Sequence, residues 1–347
     1  MTPPLLRELN QQEVDWLVQT GTLRSLQPGD RLHSSPQPLT HLWIVVSGQL
    51  SVILEPRSAG EDGQVAPQEI LRLSSGELTG ALPGITTYLC QASLVAFTDA
   101  TVLALPLTMV SQKLLDDADF AAHFYRVAAL TLRQQLNQWA MQVGYSVALL
   151  SQLQLKEAAT VFAELVDSDL DWMMAVGQIE SVKPGTPLLR CGYPVDALHL
   201  LIEGAVGLSA EEQPVHPAVA AFIPDQGKAE TEFARLSRGD LIGETLLLDS
   251  APAAVAAIAL RESTLLRIPR WRLLTKLLYD PPFAARLYRL LALLLASKQQ
   301  LILQLILQES GGLAPSADLD HQLLGRVALA EARFEWLVQR LQAQTGR

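Results

Sequence analysis

Histidine and cysteine are the side chains best suited to metal binding or nucleophilic chemistry, and here they are spread along the whole chain. The histidines stand at positions 33, 41, 123, 199, 216 and 321. A metal-dependent enzyme on a barrel-like fold needs two closely spaced histidines and a carboxylate on facing strands, and no such cluster occurs. His199 lies within an apolar strand pattern, which predicts a core histidine whose hydrogen bonds are satisfied.

Other catalytic motifs are also missing from the sequence. There is no glycine-rich phosphate loop of the Walker type, no Gly-x-Ser-x-Gly elbow and no Cys/His nucleophile pair. The segment Gly76-Glu77-Leu78-Thr79-Gly80 is only a weak look-alike, because an internal alignment explains it as a turn. We therefore expect a protein that is not an enzyme and has no resident cofactor or metal.

Charge argues against a nucleic-acid partner. The 347-residue chain has a formal net charge of −10, which repels phosphate backbones unless a local basic stripe overrides it. The arginines are scattered and form no stripe. A transcription regulator, the least favoured alternative, would need a helix-turn-helix, whereas the tail from Leu319 to Arg347 predicts one helix of mixed charge.

The apolar stretches, the cysteines and the amino terminus indicate the cellular compartment. The most apolar stretch, Leu287 to Leu307, is interrupted by Arg289 and Lys298, so it predicts a packed helix and no membrane span. Cys90 and Cys191 are too few for a disulfide framework, and the amino terminus lacks the signal-peptide pattern. We expect a cytoplasmic protein.

An internal repeat organises the sequence. Several landmarks recur 156 residues later, and beyond a longer loop in the second copy the shift becomes 163. The first set pairs Trp16 with Trp172, Gly29 with Gly185 and Gly48 with Gly204; the second pairs Gly80 with Gly243, Pro106 with Pro269 and Asp117 with Asp280. The chain therefore consists of two copies of one unit.

Each copy shows the same order of elements. A helix comes first, then short strands of Val, Ile and Leu separated by glycine turns, then a long helix. This pattern predicts an α+β fold with two tandem antiparallel β-rolls of the double-stranded β-helix or jelly-roll type, each flanked by helices. We place the domains at 1–145 and 155–307, with a C-terminal helix at 316–345.

The long helix from Phe283 is apolar on more than one face. Leu287, Leu291, Leu294, Leu301 and Leu305 form a seam that needs a covering partner. Packing within the chain is slightly preferred to a second copy of the chain, and the C-terminal helix is another candidate for docking a partner. Arg126 and Arg289 repeat and are predicted to tie each long helix to its own roll.

Both copies resemble the cyclic-nucleotide-binding domain family, the β-rolls of bacterial catabolite-activator-type regulators and of the regulatory subunits of nucleotide-gated kinases and channels. The second copy carries the resemblance best. Val182 to Pro194 is similar to the family's opening strand and turn, Leu198 to Gly204 to the next strand, and Gly239 to Glu244 to the start of the phosphate-binding cassette.

The resemblance implies a specific ligand site. A short helix after Gly243 offers backbone N–H groups to a cyclic phosphate, and Glu244 holds the position that accepts from the ribose 2′-hydroxyl. Ser250, Ala253 and Ala254 complete the ligand-binding positions. The family has Pro-Arg-Ala where this chain has Pro252-Ala253-Ala254, so the phosphate-neutralising arginine is missing.

The first copy departs further from the family pattern. Ala81 follows Gly80 where the glutamate would be, and no arginine occurs between Arg72 and Arg126. In the second copy, substitution by Arg235, Arg238 or Arg261 from a neighbouring strand stays open. These losses weaken phosphate binding by roughly ten- to a hundredfold per charged hydrogen bond.

The resulting expectation is a regulatory or scaffold protein. Its second domain would sense a cyclic nucleotide such as cyclic AMP or cyclic GMP, or another small anion, while the first is structural. The alternative is a ligand-free protein-interaction module that binds its partner through the Leu287–Leu305 helix or the C-terminal helix.

Overall fold

Two compact units make up the protein in a computed structural model. The structure describes residues 4–35, 37–54, 67–85, 92–142, 162–209, 232–248, 252–253, 255–309 and 332–341. One unit comprises Met1–Gly144 with Asp280–Asp318, and the other comprises Tyr145–Tyr279 with Leu319–Arg347. The predicted domain limits of 1–145, 155–307 and 316–345 are read from the sequence repeat, and they stay a prediction.

The first unit is a roll of two four-stranded antiparallel sheets. Its helices are α1 (Pro4–Glu8), α2 (Gln11–Thr20), α3 (Leu107–Asp116) and α4 (Ala118–Gln142). Its strands are β1 (Thr22–Leu26), β2 (Arg31–His33), β3 (His41–Ser47), β4 (Gln49–Leu54), β5 (Gln68–Ser74), β6 (Leu78–Gly80), β7 (Ser93–Ala96) and β8 (Ala100–Pro106). The sheet orders are β1-β8-β3-β6 and β2-β7-β4-β5.

The second unit repeats this arrangement. Helix α5 (Asp167–Val176) is followed by β9 (Gln178–Val182), β10 (Pro187–Leu189), β11 (Ala197–Glu203), β12 (Val206–Ser209), β13 (Glu232–Leu236), β14 (Leu241–Ile242), a 3₁₀ turn (Glu244–Leu247), β15 (Ala256–Ala259), β16 (Ser263–Pro269) and α6 (Arg270–Tyr279). Its sheets have the orders β14-β11-β16-β9 and β10-β15-β12-β13. The fold class of two antiparallel rolls with flanking helices is confirmed.

The bounds of the elements follow the shifts read from the sequence. Helix α2 and strands β1 to β3 have counterparts whose limits lie 156 residues later, and β8 and α3 have counterparts 163 residues later. The buried strand pattern explains this agreement, since apolar side chains on matched positions fill both rolls. Leu42 and Leu198 at matched places on β3 and β11 are 0% and 2% exposed.

The long helix that follows the second roll belongs to the first unit. This helix, α7 (Pro281–Glu309), packs along α4. Its seam residues Leu287, Leu291 and Leu294 are buried, whereas the side chains of Leu301 and Leu305 lie outside the described residues. The apolar faces are therefore covered within the chain at these three positions.

The repeated arginines differ in the contacts they make. Arg126 forms an ion pair with Glu8 (3.0 Å) in its own unit. The sequence predicts that Arg289 contacts the second roll, but it lies over the Tyr125 ring and beside Gly84 in the first unit. The contact of Arg289 with the second roll therefore stays a prediction.

The described residues 332–341 are helical, lie within the predicted C-terminal helix and belong to the second unit. Its Phe334 ring packs 4.9 Å from the Phe162 ring, and Arg333 donates to the Phe162 and Leu165 carbonyls. These contacts dock the segment on its own unit. None of the helices in the described ranges has the length and apolarity needed to cross a bilayer.

Candidate functional site

The segment that resembles a phosphate-binding cassette starts at a tight turn after β13. The Asp240 carboxylate accepts from the Ser237 N–H (2.7 Å). The Gly239 N–H donates to the Leu201 carbonyl (2.7 Å), and the Leu201 N–H donates to the Asp240 carbonyl (3.0 Å). The turn is thereby fixed to the middle of β11.

Gly243 then redirects the chain into the 3₁₀ turn. Its φ is +88°, and a Cβ at this position would lie 2.8 Å from the Ala197 carbonyl oxygen and 2.9 Å from Val195 Cγ1. Both the backbone conformation and the close approach require glycine. The Leu246 N–H donates to the Gly243 carbonyl (3.1 Å), which closes the turn.

Glu244 is the first residue of this 3₁₀ turn and is half-buried. Leu246 and Leu247, which end the turn, and Leu248, which follows it, are 2%, 2% and 4% exposed. Their burial anchors the turn in the core and leaves the glutamate at its edge. The turn that the sequence predicts after Gly243 is therefore present with Glu244 at its start.

Ala253 stands where the resemblance implies an arginine, and both its N–H and its carbonyl make hydrogen bonds. Its N–H donates to the Tyr193 carbonyl (2.9 Å), and its carbonyl accepts from the Gly192 N–H (2.8 Å). The residue is 5% exposed. This reciprocal pair ties the end of the cassette to the turn after β10. Ser250 and Ala254 lie outside the described residues.

The arginines considered as substitutes have other partners. Arg261 donates to the Gly204 carbonyl (2.8 Å). The Nη1 and Nη2 atoms of Arg238 contact Glu335 of helix 332–341, at 2.8 and 3.0 Å. Arg235, on β13, is exposed. Arg238 and Arg261 thus make structural contacts.

The first roll has the same turn and different side chains. Glu77 accepts from the Ser74 N–H (2.6 Å), as Asp240 does from Ser237, and burial raises the pKa of Glu77. Gly80 has φ +103°. Ala81, at the position of Glu244, is buried and donates its N–H to the His41 carbonyl (2.9 Å). The first roll therefore has the same backbone turn but no carboxylate at the position of Glu244.

An aromatic ring fills the space between the two sheets of the first roll. Trp43 of β3 and His33 of β2 belong to different sheets, and their ring centroids are 6.2 Å apart. Both are buried. Shifting by 156 residues places His199 at the position of Trp43 and Leu189 at the position of His33. The second roll therefore carries a smaller ring in place of the tryptophan.

His199 is buried as predicted, but its hydrogen bonding is incomplete. Among the described residues, its Nδ1 has no hydrogen-bond partner. Burial and the nearby Arg267 charge lower its pKa to about 4, against the opposing effects of Asp196 and the Ile242 backbone. The expectation of a satisfied histidine is therefore wrong for Nδ1.

Metal chemistry has no support in the described part of the chain, where no group of three or more His, Cys, Asp or Glu side chains could hold an ion. The turn from Gly239 to Leu247 offers one half-buried carboxylate, that of Glu244, next to the glycine that fixes its backbone.

Comparison with protein families gives the same assignment for the second roll. The family model "Cyclic nucleotide-binding domain" matches residues 179–279, from β9 to the end of α6. No curated protein matches the chain significantly.

Several solved structures are similar to the chain. A regulatory domain of Toxoplasma gondii protein kinase A with cyclic AMP is 16% identical, with coverage of 80% of this chain and 89% of that one and a TM-score of 0.27. The regulatory subunit of a cAMP-independent protein kinase A from Trypanosoma brucei is 12% identical, with 77% and 80% coverage and a TM-score of 0.27. The N-terminal domain of a transcriptional regulator from Streptomyces coelicolor is 20% identical, with 38% and 91% coverage and a TM-score of 0.30.

Proposed function

We propose, from the premise that residues 179–279 form a domain of the cyclic nucleotide-binding family, that the protein is a non-catalytic regulator. Its second roll is the ligand-responsive domain, and its first roll is structural. The observation that carries this proposal is the cassette turn, in which Gly243 directs the chain into the turn that begins with Glu244. We expect the protein to act in the cytoplasm.

The ligand is a cyclic nucleotide, such as cyclic AMP or cyclic GMP, or another small anion, and it binds weakly. Glu244 supplies an acceptor for a ribose hydroxyl, and Ser250, Ala253 and Ala254 are the other proposed ligand-binding positions. Ala253 provides no positive charge, and Arg238 and Arg261 are engaged elsewhere. Loss of a charged hydrogen bond costs about 1.5–3 kcal/mol, which corresponds to roughly ten- to a hundredfold in affinity.

A second candidate function is a ligand-free interaction module. The specific observation in its favour is the backbone of Ala253, whose N–H and carbonyl are both used by the Tyr193 and Gly192 pair. In this candidate the two rolls serve as platforms for a protein partner.

Isothermal calorimetry with cyclic AMP and cyclic GMP at millimolar concentration distinguishes the two candidates. The proposed function predicts heat of binding and a rise in melting temperature, both lost in Glu244→Gln. Glu203→Gln, a change at an exposed glutamate that ends β11 in the same roll, is the matched control and keeps both signals. Absence of heat and of any melting shift would defeat the sensor and favour the interaction module.

A further inference from the structure

Helix α6 exposes an apolar face. Trp271, Leu274, Leu278 and Tyr279 are 65%, 40%, 71% and 79% exposed, whereas Leu273 is 1% exposed. Positions separated by three, four, seven and eight residues share one side of a helix. These four residues, with Thr275 between them, form one continuous surface, which we name the α6 face. A grouped apolar surface of this kind on a folded unit marks an interaction site.

The fold itself does not require this face. Helix α3 occupies the same place in the first unit, 163 residues earlier. At the matching positions it carries Thr108, Ser111, Gln112, Leu115 and Asp116. Only Leu115, matched to Leu278, is apolar. Since the same architecture accommodates a polar surface in one unit, the apolar side chains of α6 serve another purpose.

Positive charge borders the α6 face on both sides. At 100° per residue, Arg272 and Lys276 lie along one edge and Arg270 lies along the other. The helix contains no acidic residue, although the chain as a whole has a net charge of −10. The Arg272 guanidinium lies 4.9 Å from the Trp271 ring centroid. The apolar surface thus passes directly into a cationic border.

We propose that the α6 face docks an acidic amphipathic helix of another protein. Apolar side chains of that helix cover Trp271, Leu274 and Leu278, and carboxylates along its edges meet the cationic border. A second copy of this chain fits poorly, because a two-fold contact of α6 with α6 brings the same cationic borders together. An anionic membrane fits poorly because its extended surface also meets the rest of this acidic chain, whereas a single helix meets only the local cationic border. The proposal does not depend on ligand binding.

Selection from a displayed library of amphipathic helices on the full-length protein tests the proposal. The library keeps one leucine stripe and varies the edge positions between Glu and Lys. We expect enrichment of Glu at both edges. Leu278→Ser should weaken binding of the enriched peptide by about tenfold or more, the range of a buried anchor. Leu115→Ser is the matched control at the equivalent position of α3 and should leave binding unchanged.

A charge reversal separates electrostatic matching from simple apolar adhesion. In the variant Arg272→Glu with Lys276→Glu, the preferred edge residues should change from Glu to Lys. Enrichment of Lys on the wild-type protein, no enrichment at all, or equal binding by Leu278→Ser would overturn the proposal. It is likewise overturned if sedimentation shows self-association that Leu278→Ser removes, or if phosphatidylserine vesicles bind through the same residue.

Discussion

The Arg289 guanidinium lies 5.9 Å from the centroid of the Tyr125 ring, although the two residues come from different copies of the repeat. The reciprocal pair is also present, with Arg126 placed 5.7 Å from the centroid of Tyr288. Because each residue matches its counterpart 163 positions away, α4 and α7 exchange equivalent contacts. The last helix of the second copy therefore completes the core of the first unit.

A buried amide in the contact between α4 and α7 should contribute strongly to the free energy of unfolding. Gln299 of α7 is 0% exposed and donates to the Leu132 carbonyl (3.1 Å) and to Gln135 Oε1 (3.3 Å). Gln299→Glu replaces the donor with a buried carboxylate, so we expect the free energy of unfolding to fall by roughly 2–4 kcal/mol at pH 7. Denaturant unfolding measures this change. Asn137→Asp, at an exposed position of α4, should change the free energy of unfolding by no more than about 0.5 kcal/mol. Equal losses in the two variants would refute the buried contact of Gln299 with α4.

Gly243 should tolerate no side chain. Gly243→Ala combines an unfavourable positive φ with a close approach to the Ala197 carbonyl, and we expect a loss of roughly 2–4 kcal/mol. Gly185 has a similar φ of +82°, and a Cβ added there would meet no atom within 4 Å. Gly185→Ala therefore reports the backbone effect alone, about 1 kcal/mol. A thermal melt in which both variants lose the same amount would contradict the tight packing at Gly243.

The stability of the second unit should depend on pH through His199. Its pKa is about 4 in the folded protein and 6.5 as the reference value. Between these values the unfolded chain binds the proton that the folded chain refuses, so stability is complete above pH 6.5 and falls toward pH 4. The contribution is about 3 kcal/mol.

Denaturation midpoints from pH 7 to pH 4 measure this effect. His199→Leu should show a flatter pH profile than the wild type. Leu198→Ala, a change at the neighbouring buried residue of β11, lowers stability without flattening the profile. If the profile of His199→Leu keeps the wild-type slope, His199 is not the group that responds.

The repeat, the roll and the cassette turn could be predicted from the sequence because they depend on local spacing. Glycines with positive φ, such as Gly80 and Gly243, mark turns, and apolar strands between them leave few ways to form a core. That the second roll binds phosphate weakly stays a prediction, which rests on the missing charge at Ala253.

Other features depend on contacts between distant residues and could not be predicted. The apolar faces of α7 indicate that a partner is needed, but they do not distinguish α4 from a second chain. The ion pair between Arg238 and Glu335 joins residues 97 positions apart, so no local pattern indicates it. The apolar residues of the α6 face are of the types that usually face a protein core. Their exposure therefore could not be predicted from the sequence.

Placing an arginine at position 253 shows whether the second roll is a cyclic-nucleotide site that lacks only its cation. Calorimetry with cyclic AMP would compare the wild type, Ala253→Arg and the neutral control Ala253→Gln. We expect Ala253→Arg to lower Kd by roughly ten- to a hundredfold and Ala253→Gln to leave it unchanged. Adding Glu244→Gln to Ala253→Arg should remove the gain. A wild-type Kd already equal to that of Ala253→Arg, or no gain from the arginine, would contradict this expectation.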